Sequence, residues 1–299
     1  MLKDLVLGAS GTIGRWFMGD NIVSVDKDIP ENHIGTYLIT DLTDEHKLIS
    51  IFENQSYNKV FQFAADSGKI DYLLSAEHFY GNSTLININI LKALKWAKKI
   101  NKVIWPSSFY RYDMSSPYGL EKKYNEELFK RNLSKEIKFI LPILWPTYGP
   151  LCDLTIKNEK ITTMLCRRII KANDGDILEL KLNPQEGRYF IYITDAIKAI
   201  KLMADYDENL ILDIGGVEFI TFGNLFREIV EISRKDISVC YTSNIGEKRI
   251  TNKSPDLKTT LSILDWNPET SFHRGMVATY RFIAETLEEW NALYRAEQL

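Results

Sequence analysis

Short apolar runs alternate with stretches of helical periodicity over the first half of the chain. Residues 4–8 (DLVLG) read as a buried strand, and 12–19 as a helix. Strands follow at 21–26 (NIVSVD) and 36–40 (TYLIT), then a helix at 44–54 and a fourth strand at 59–65 (KVFQFAA). A long periodic helix covers about 82–99, KVIWPSS (102–108) is a fifth strand, a helix runs over about 117–131, and KFILPIL (138–144) is a sixth strand. Strands alternating with helices imply right-handed crossovers, which predicts an α/β fold with a doubly wound parallel sheet of the Rossmann kind. After Tyr148-Gly149-Pro150 the pattern loosens. It predicts helices at 162–172, 195–204, about 222–234 and about 272–290, strands at 177–182 and 210–216, and an edge strand at 188–193 (RYFIYI).

The turn after the first strand carries GASGTIG, with Gly8, Gly11 and Gly14 in register. Gly8 permits a tight turn, Gly11 lets the backbone approach a pyrophosphate, and Gly14 allows a helix to pack closely on the sheet. The predicted helix behind it would present free N–H groups to phosphates. Asp26 ends the second strand, where a carboxylate can accept from adenosine ribose hydroxyls and repel a 2′-phosphate. That favours NAD over NADP. Asp41-Leu42, after the third strand, is placed either to contact adenine or to cap the next helix.

A second constellation lies in PSSFYRYDMSSPYGLEK (106–122). Ser116 is suited to cap a helix and Pro117 to its first turn. Tyr118 and Lys122 then stand one turn apart on the same face. An ammonium beside a phenol favours the phenolate, so such a tyrosine can act as a base. Ser108, ending the neighbouring strand, is placed to orient the same substrate hydroxyl. The chemistry these residues specify is removal of a proton and a hydride from a carbinol carbon, with NAD as cofactor.

Composition narrows the setting. The chain has 299 residues and a formal charge of −3, with no long basic run, so neither nucleic acid nor an anionic membrane is an expected partner. No apolar stretch is long enough to span a bilayer, and Met1-Leu2-Lys3 leads straight into a strand without a signal-peptide pattern. Cys152, Cys166 and Cys240 lack metal or disulfide spacing and read as reduced thiols of a cytoplasmic protein. Four scattered histidines (His33, His46, His78, His273) give no expectation of a metal site.

Taken together, GASGTIG, FQFAAD (61–66), PSS, PYGLEK (117–122), TYGP (147–150), GRYFIYITDA (187–196) and LDWNPETSFHRGM (264–276) resemble the extended short-chain dehydrogenase/reductase family, the NAD-dependent nucleotide-sugar epimerases and dehydratases. The resemblance covers nearly the whole chain. AADSGKIDYLL and YGNSTLININIL are most similar to the GDP-mannose 3,5-epimerase branch, which weakly favours a GDP-sugar. It implies a Rossmann domain over 1–150 and a smaller, mainly substrate-binding α/β region over 151–299, with about 188–215 returning to the Rossmann domain. It further implies that Ser108, Tyr118 and Lys122 are catalytic, with Tyr112 four residues after Ser108. NAD would be held by Gly8, Ser10, Gly11, Thr12, Ile13 and Gly14, by Asp26, Asp41 and Leu42, by Ala64, Ala65 and Asn82, and by Tyr118 and Lys122. The nucleotide-sugar would meet Ser67, Ser108, Arg188 and Arg249, with Arg188 on the diphosphate, a task suited to a guanidinium. A homodimer through paired helices is also implied.

Departures from the family pattern narrow the reaction. Where the 3,5-epimerases have a cysteine and a lysine for further proton transfers, this chain has Tyr110 and Thr155, with Lys157 nearby. The Asp-Glu pair of the 4,6-dehydratases is replaced by Phe109-Tyr110, and Pro146 stands where an asparagine is usual ahead of the YGP turn. The redox core without these auxiliary groups predicts chemistry at one carbinol carbon, C4: oxidation, reduction or 4-epimerisation, in surface-polysaccharide or related sugar biosynthesis. The alternatives are a GDP-sugar 3,5-epimerase, a reductase of a non-nucleotide carbonyl, and a non-catalytic NAD(P)-binding regulator, which would have no need of a phenolate base.

Overall fold

A computed structural model of the chain describes residues 2–30, 32–66, 68, 70–155, 159–242 and 253–296. The chain divides into two compact units, one of Met1–Leu144, Ile197–Ile214 and Lys258–Trp266, the other of Trp145–Ala196, Gly215–Leu257 and Asn267–Leu299.

The first unit is built on a parallel sheet. Its strands lie side by side in the order Leu210–Ile214, Lys138–Leu144, Lys102–Ile104, Tyr57–Gln62, Lys3–Leu7, Ile22–Asp26 and Thr36–Ile39, and the short Ser107–Ser108 pairs with Lys138–Leu144. Every pairing is parallel. The apolar runs become strands because a sheet covered on both faces buries successive side chains whichever way they point. Leu5, Val6 and Leu7 are all fully buried. The helices Glu45–Asn54, Ser83–Leu94 and Pro117–Asn132 carry Leu48, Phe52, Ile90, Leu94 and Phe129 into the core formed with Leu5, Val25, Val103 and Phe139.

Three sequence expectations are corrected here. No α-helix follows the glycine turn: the predicted helix over 12–19 is a single 3-10 turn, Gly14–Trp16. Only residues 8–21 join the first two strands, and the glycine turn takes half of them. In place of helix packing, Phe17 is buried with its ring 4.8 Å from Phe61 and 4.9 Å from Phe63. The helix predicted over 82–99 ends at Leu94. KVIWPSS is not one strand, because Trp105-Pro106 interrupts it, and proline donates nothing to a ladder.

In the second unit, Ile177–Leu180 pairs in parallel with Ser238–Tyr241. The helices Ile161–Lys171, Phe222–Ser233 and Phe272–Ala296 pack around Leu165, Ile169, Leu225, Phe226, Met276 and Ile283. RYFIYI is not a single edge strand. Gly187–Tyr189 pairs antiparallel with Phe219–Thr221, Phe190 turns into the core, and Ile191–Tyr192 pairs in parallel with Thr147–Tyr148. A run that is apolar throughout fits either arrangement, and the buried Phe190 divides it.

Candidate active site

Open parallel sheets bind ligands outside the carboxyl ends of their strands, where strand order reverses. Here that point lies where Lys3–Leu7 is flanked by Tyr57–Gln62 on one side and Ile22–Asp26 on the other. The candidate cofactor residues gather at these strand ends. Gly8 has φ +81°, and a side-chain carbon on it would lie 2.4 Å from the Ala64 nitrogen, so the first turn and the Ala64 turn touch backbone to backbone. Gln62, buried beneath, pins the second turn: its amide donates to the Ala64 carbonyl at 2.9 Å and accepts from Ala64 N at 3.2 Å.

Within the loop, the Ser10 N–H and hydroxyl both donate to Asp26 Oδ2, at 3.0 and 2.7 Å. Asp26 therefore braces the glycine loop while remaining half-exposed at the end of its strand. Gly14 packs against the Gly8 carbonyl, whereas a carbon added to Gly11 would meet only that carbonyl, at 3.3 Å, and otherwise face open space. Thr12 and Ile13 are half-buried, and among the described residues no backbone carbonyl accepts from their N–H groups. Arg15, unnoticed in the sequence, reaches back to the Ser10 carbonyl with Nε at 3.2 Å and Nη2 at 2.5 Å.

Other candidates are placed less directly. Asp41 accepts from the Thr43 N–H and hydroxyl at 2.9 and 2.8 Å, which holds its carboxyl below the usual range; the helix cap is Asp44. Leu42 lies in the core at 5 % exposure, so its side chain is not at the surface of the cleft. Ala65 and Asn82 are exposed, and the Asn82 N–H donates to the Asp66 carboxylate. Ser67, Lys157 and Arg249 lie outside the described residues.

The proton-transfer group sits on the helix Pro117–Asn132. Ser116 caps it, accepting from Gly119 N at 3.1 Å, with Pro117 in the first turn. A side-chain carbon on Gly119 would lie 2.0 Å from the Asp113 carbonyl and 2.5 Å from that of Tyr110, so glycine lets this end of the helix close on the Phe109–Tyr112 turn. Tyr118 is half-buried, its ring packed edge-on against His78 and Tyr110, each at 5.3 Å. Lys122 is buried with Nζ 4.9 Å from the centre of the Tyr118 ring and 5.8 Å from that of Trp105. Ser108 ends the strand that packs on this helix; its Oγ accepts from Tyr110 N at 3.3 Å, which does not use the hydroxyl's donor capacity. Tyr112 donates to the buried Asp213 at 3.2 Å.

Sequence reasoning missed what lies beneath Lys122. Glu121 is buried, with its carboxylate 3.4 Å from Lys122 Nζ, 3.0 Å from His78 Nε2 and 2.7 Å from Asn125 Nδ2. Burial pushes the Glu121 carboxyl up, but Lys122 and His78 outweigh it and hold it below the ordinary range. Burial likewise works against the Lys122 charge, while Glu121, Tyr118 and Asp66 more than offset it and hold the ammonium above its ordinary value. Two charged residues adjacent in sequence read as a solvated face, so nothing in their spacing alone reveals the pair.

In the second unit, Arg188 donates to the Gly187 carbonyl at 2.6 Å, lies 3.9 Å from Glu186 and stacks over Phe222 at 5.0 Å. Among the described residues no cluster of His, Cys, Asp or Glu could hold a metal ion, and no helix is long and apolar enough to cross a membrane.

A glycine turn at the switch point of a parallel sheet defines a nucleotide-binding fold of the doubly wound class. The profile of the NAD dependent epimerase/dehydratase family matches residues 5–215, and the chain belongs to that family. A curated relative, UDP-glucuronic acid decarboxylase 6 of Arabidopsis thaliana, is 20% identical over 168 residues, 54% of this chain and 47% of the relative. The matched region thus spans about half the length of that relative. Among solved structures, a UDP-glucose 4-epimerase from Thermotoga maritima with UDP-glucose superposes with a TM-score of 0.79 at 19% identity, covering 96% of this chain and 100% of that one. A UDP-glucuronic acid 4-epimerase from Bacillus cereus, in complex with UDP-glucuronic acid and NAD, does so with a TM-score of 0.76 at 20% identity, over 95% and 100% of the two chains. At such identity the likeness establishes the shared fold.

Proposed function

We propose that the chain is an NAD-dependent nucleotide-sugar oxidoreductase or 4-epimerase acting at a single carbinol carbon, C4. The observation that carries the reading is Lys122 Nζ lying 4.9 Å from the Tyr118 ring centre on a helix against which the Ser108 strand packs. The loop fits NAD: a carbon on Gly11 would meet the Gly8 carbonyl and no other described atom, among the described residues no backbone carbonyl accepts from the Thr12 or Ile13 N–H, and the Asp26 carboxylate stands at the strand end where a ribose would be read. When bound, NAD supplies the hydride acceptor. Tyr118 takes the hydroxyl proton, Lys122 favours its phenolate form, and Ser108 donates to the substrate oxygen. Asp26 disfavours the 2′-phosphate of NADP by charge.

The absence of 3,5-epimerisation is part of the proposal. Tyr110 is only 7 % exposed and its ring is packed against Phe109 and Tyr118, while Thr155 carries no useful acidity. A closer tie to the GDP-mannose 3,5-epimerases rests on sequence resemblance, whereas the solved neighbours named above carry UDP-sugars. UDP-sugars therefore come first as substrates, with GDP-sugars beside them.

The test is a panel of UDP-, GDP-, CDP- and dTDP-sugars incubated with the chain and NAD, with products read by NMR. The reading expects inversion or oxidation at C4 of at least one sugar. A chain that binds NAD and leaves every sugar unchanged would overturn this reading in favour of the non-catalytic regulator.

A further inference from the structure

Lys122 does not stand alone under Tyr118. Its Nζ lies 3.4 Å from the Glu121 carboxylate, and that carboxylate is held from two further sides. His78 Nε2, from the turn Ala76–Tyr80, is 3.0 Å away, and Asn125 Nδ2, one turn along the helix, is 2.7 Å away. Asn125 is itself tied to Thr84 Oγ1 at 3.1 Å, on the helix Ser83–Leu94. Exposure is 7 % for Glu121, 5 % for Lys122, 3 % for His78 and 0 % for Asn125, so water does not screen the set. The imidazole that grips Glu121 is the same ring that packs edge-on against Tyr118 at 5.3 Å and Tyr72 at 5.4 Å.

A buried ammonium without a counter-charge is strongly disfavoured, and a carboxylate within salt-bridge distance restores it. Lys122 needs both its charge and its place to act on a phenol and a nicotinamide ribose. We propose that Glu121, braced by His78 and Asn125, is a positioning residue that holds the Lys122 ammonium charged and fixed beneath Tyr118. The inference rests on the reading of Lys122 under Proposed function. The other titratable groups acting on the pair are Tyr118 and Asp66, which add negative charge toward Lys122, and Tyr72, which feels the Glu121 charge more weakly than that of Asp66. Asp66 is half-buried and more distant in effect than Glu121, which is the larger of the two influences on the lysine.

The test is Glu121→Gln in the full chain, which keeps the shape and the Asn125 contact while removing the charge. The first readout needs no substrate: NMR of chain labelled at the lysine ε-carbon, titrated with pH, with Lys122→Met identifying the resonance. Glu121→Gln is expected to move the Lys122 titration down by about one pH unit or more. The second is turnover: the alkaline limb of kcat moves down with it, while the neutral-pH KM for the sugar stays within a few-fold. An unmoved lysine titration overturns the proposal, as does a kcat that falls equally at every pH with the limb in place. If Glu121→Gln is too unstable to study, Glu121→Gln/Lys122→Met serves instead. Removing both charges should melt higher than Glu121→Gln alone, and a simple sum of two losses contradicts the coupling. A coupled lysine in a chain without sugar turnover would keep this inference and overturn only the function reading.

Discussion

In the proposed reaction the proton step rests on Tyr118. Replacing it with phenylalanine removes the hydroxyl and leaves the ring contacts to His78 and Tyr110 available. Tyr118→Phe is expected to lower kcat by about 100- to 10,000-fold, the usual loss of a general base, while NAD affinity by titration stays within a few-fold. Full activity in that variant would contradict the mechanism. The Tyr-x-x-x-Lys spacing was legible because helical geometry alone puts both residues on one face. Glu121, His78 and Asn125 were not, since a charged residue looks solvated in a sequence until its tertiary neighbours are known. Leu42, marked for the cofactor by its position after a strand, puts its apolar side chain in the core, which leaves its backbone to meet a cofactor.

At the scale of elements, the helix Pro117–Asn132 is anchored by a second buried carboxylate. Glu126 accepts from Arg111 Nε at 2.8 Å and Nη2 at 2.6 Å, and from Lys130 Nζ at 2.6 Å, with its side chain fully buried. Burial pushes its carboxyl up, but the bonds from Lys130 and Arg111 prevail and hold it below the ordinary range. A carboxyl lowered in the folded state stabilises above its unfolded value, about 4.3, and that contribution is lost as pH falls through the folded value. Stability measured by urea unfolding should therefore decline as pH drops below about 4.5. Glu126→Gln should cost on the order of 3 kcal/mol at pH 7 and show a shallower acid decline. An equally steep decline in the variant would show that other groups govern it. The strands were readable because buried parallel strands are nearly continuous apolar runs. The missing crossover helix was legible only in part: the short interval from Gly14 to Asp26 trims a helix there, while the helical periodicity over 12–19 argues for one. Phe17, against Phe61 and Phe63, takes up that periodicity instead.

For the molecule as a whole, the two helices beside the candidate site expose more apolar surface than a solvated face needs. Leu85 is 45 % exposed, Leu120 38 % and Tyr124 56 %. The chain is expected to form a homodimer through these helices, since isologous dimers are the commonest assembly. A monomer by light scattering at micromolar concentration would contradict this. The central claim is that chemistry is confined to C4, because inversion at C3 or C5 needs two further acid–base groups. The most direct measurement is NMR of the converted nucleotide-sugar after incubation with the chain and NAD in deuterium oxide. Change at C4 with no deuterium at C3 or C5 is the predicted result; enzyme-dependent deuterium at either carbon would contradict it and restore the 3,5-epimerase.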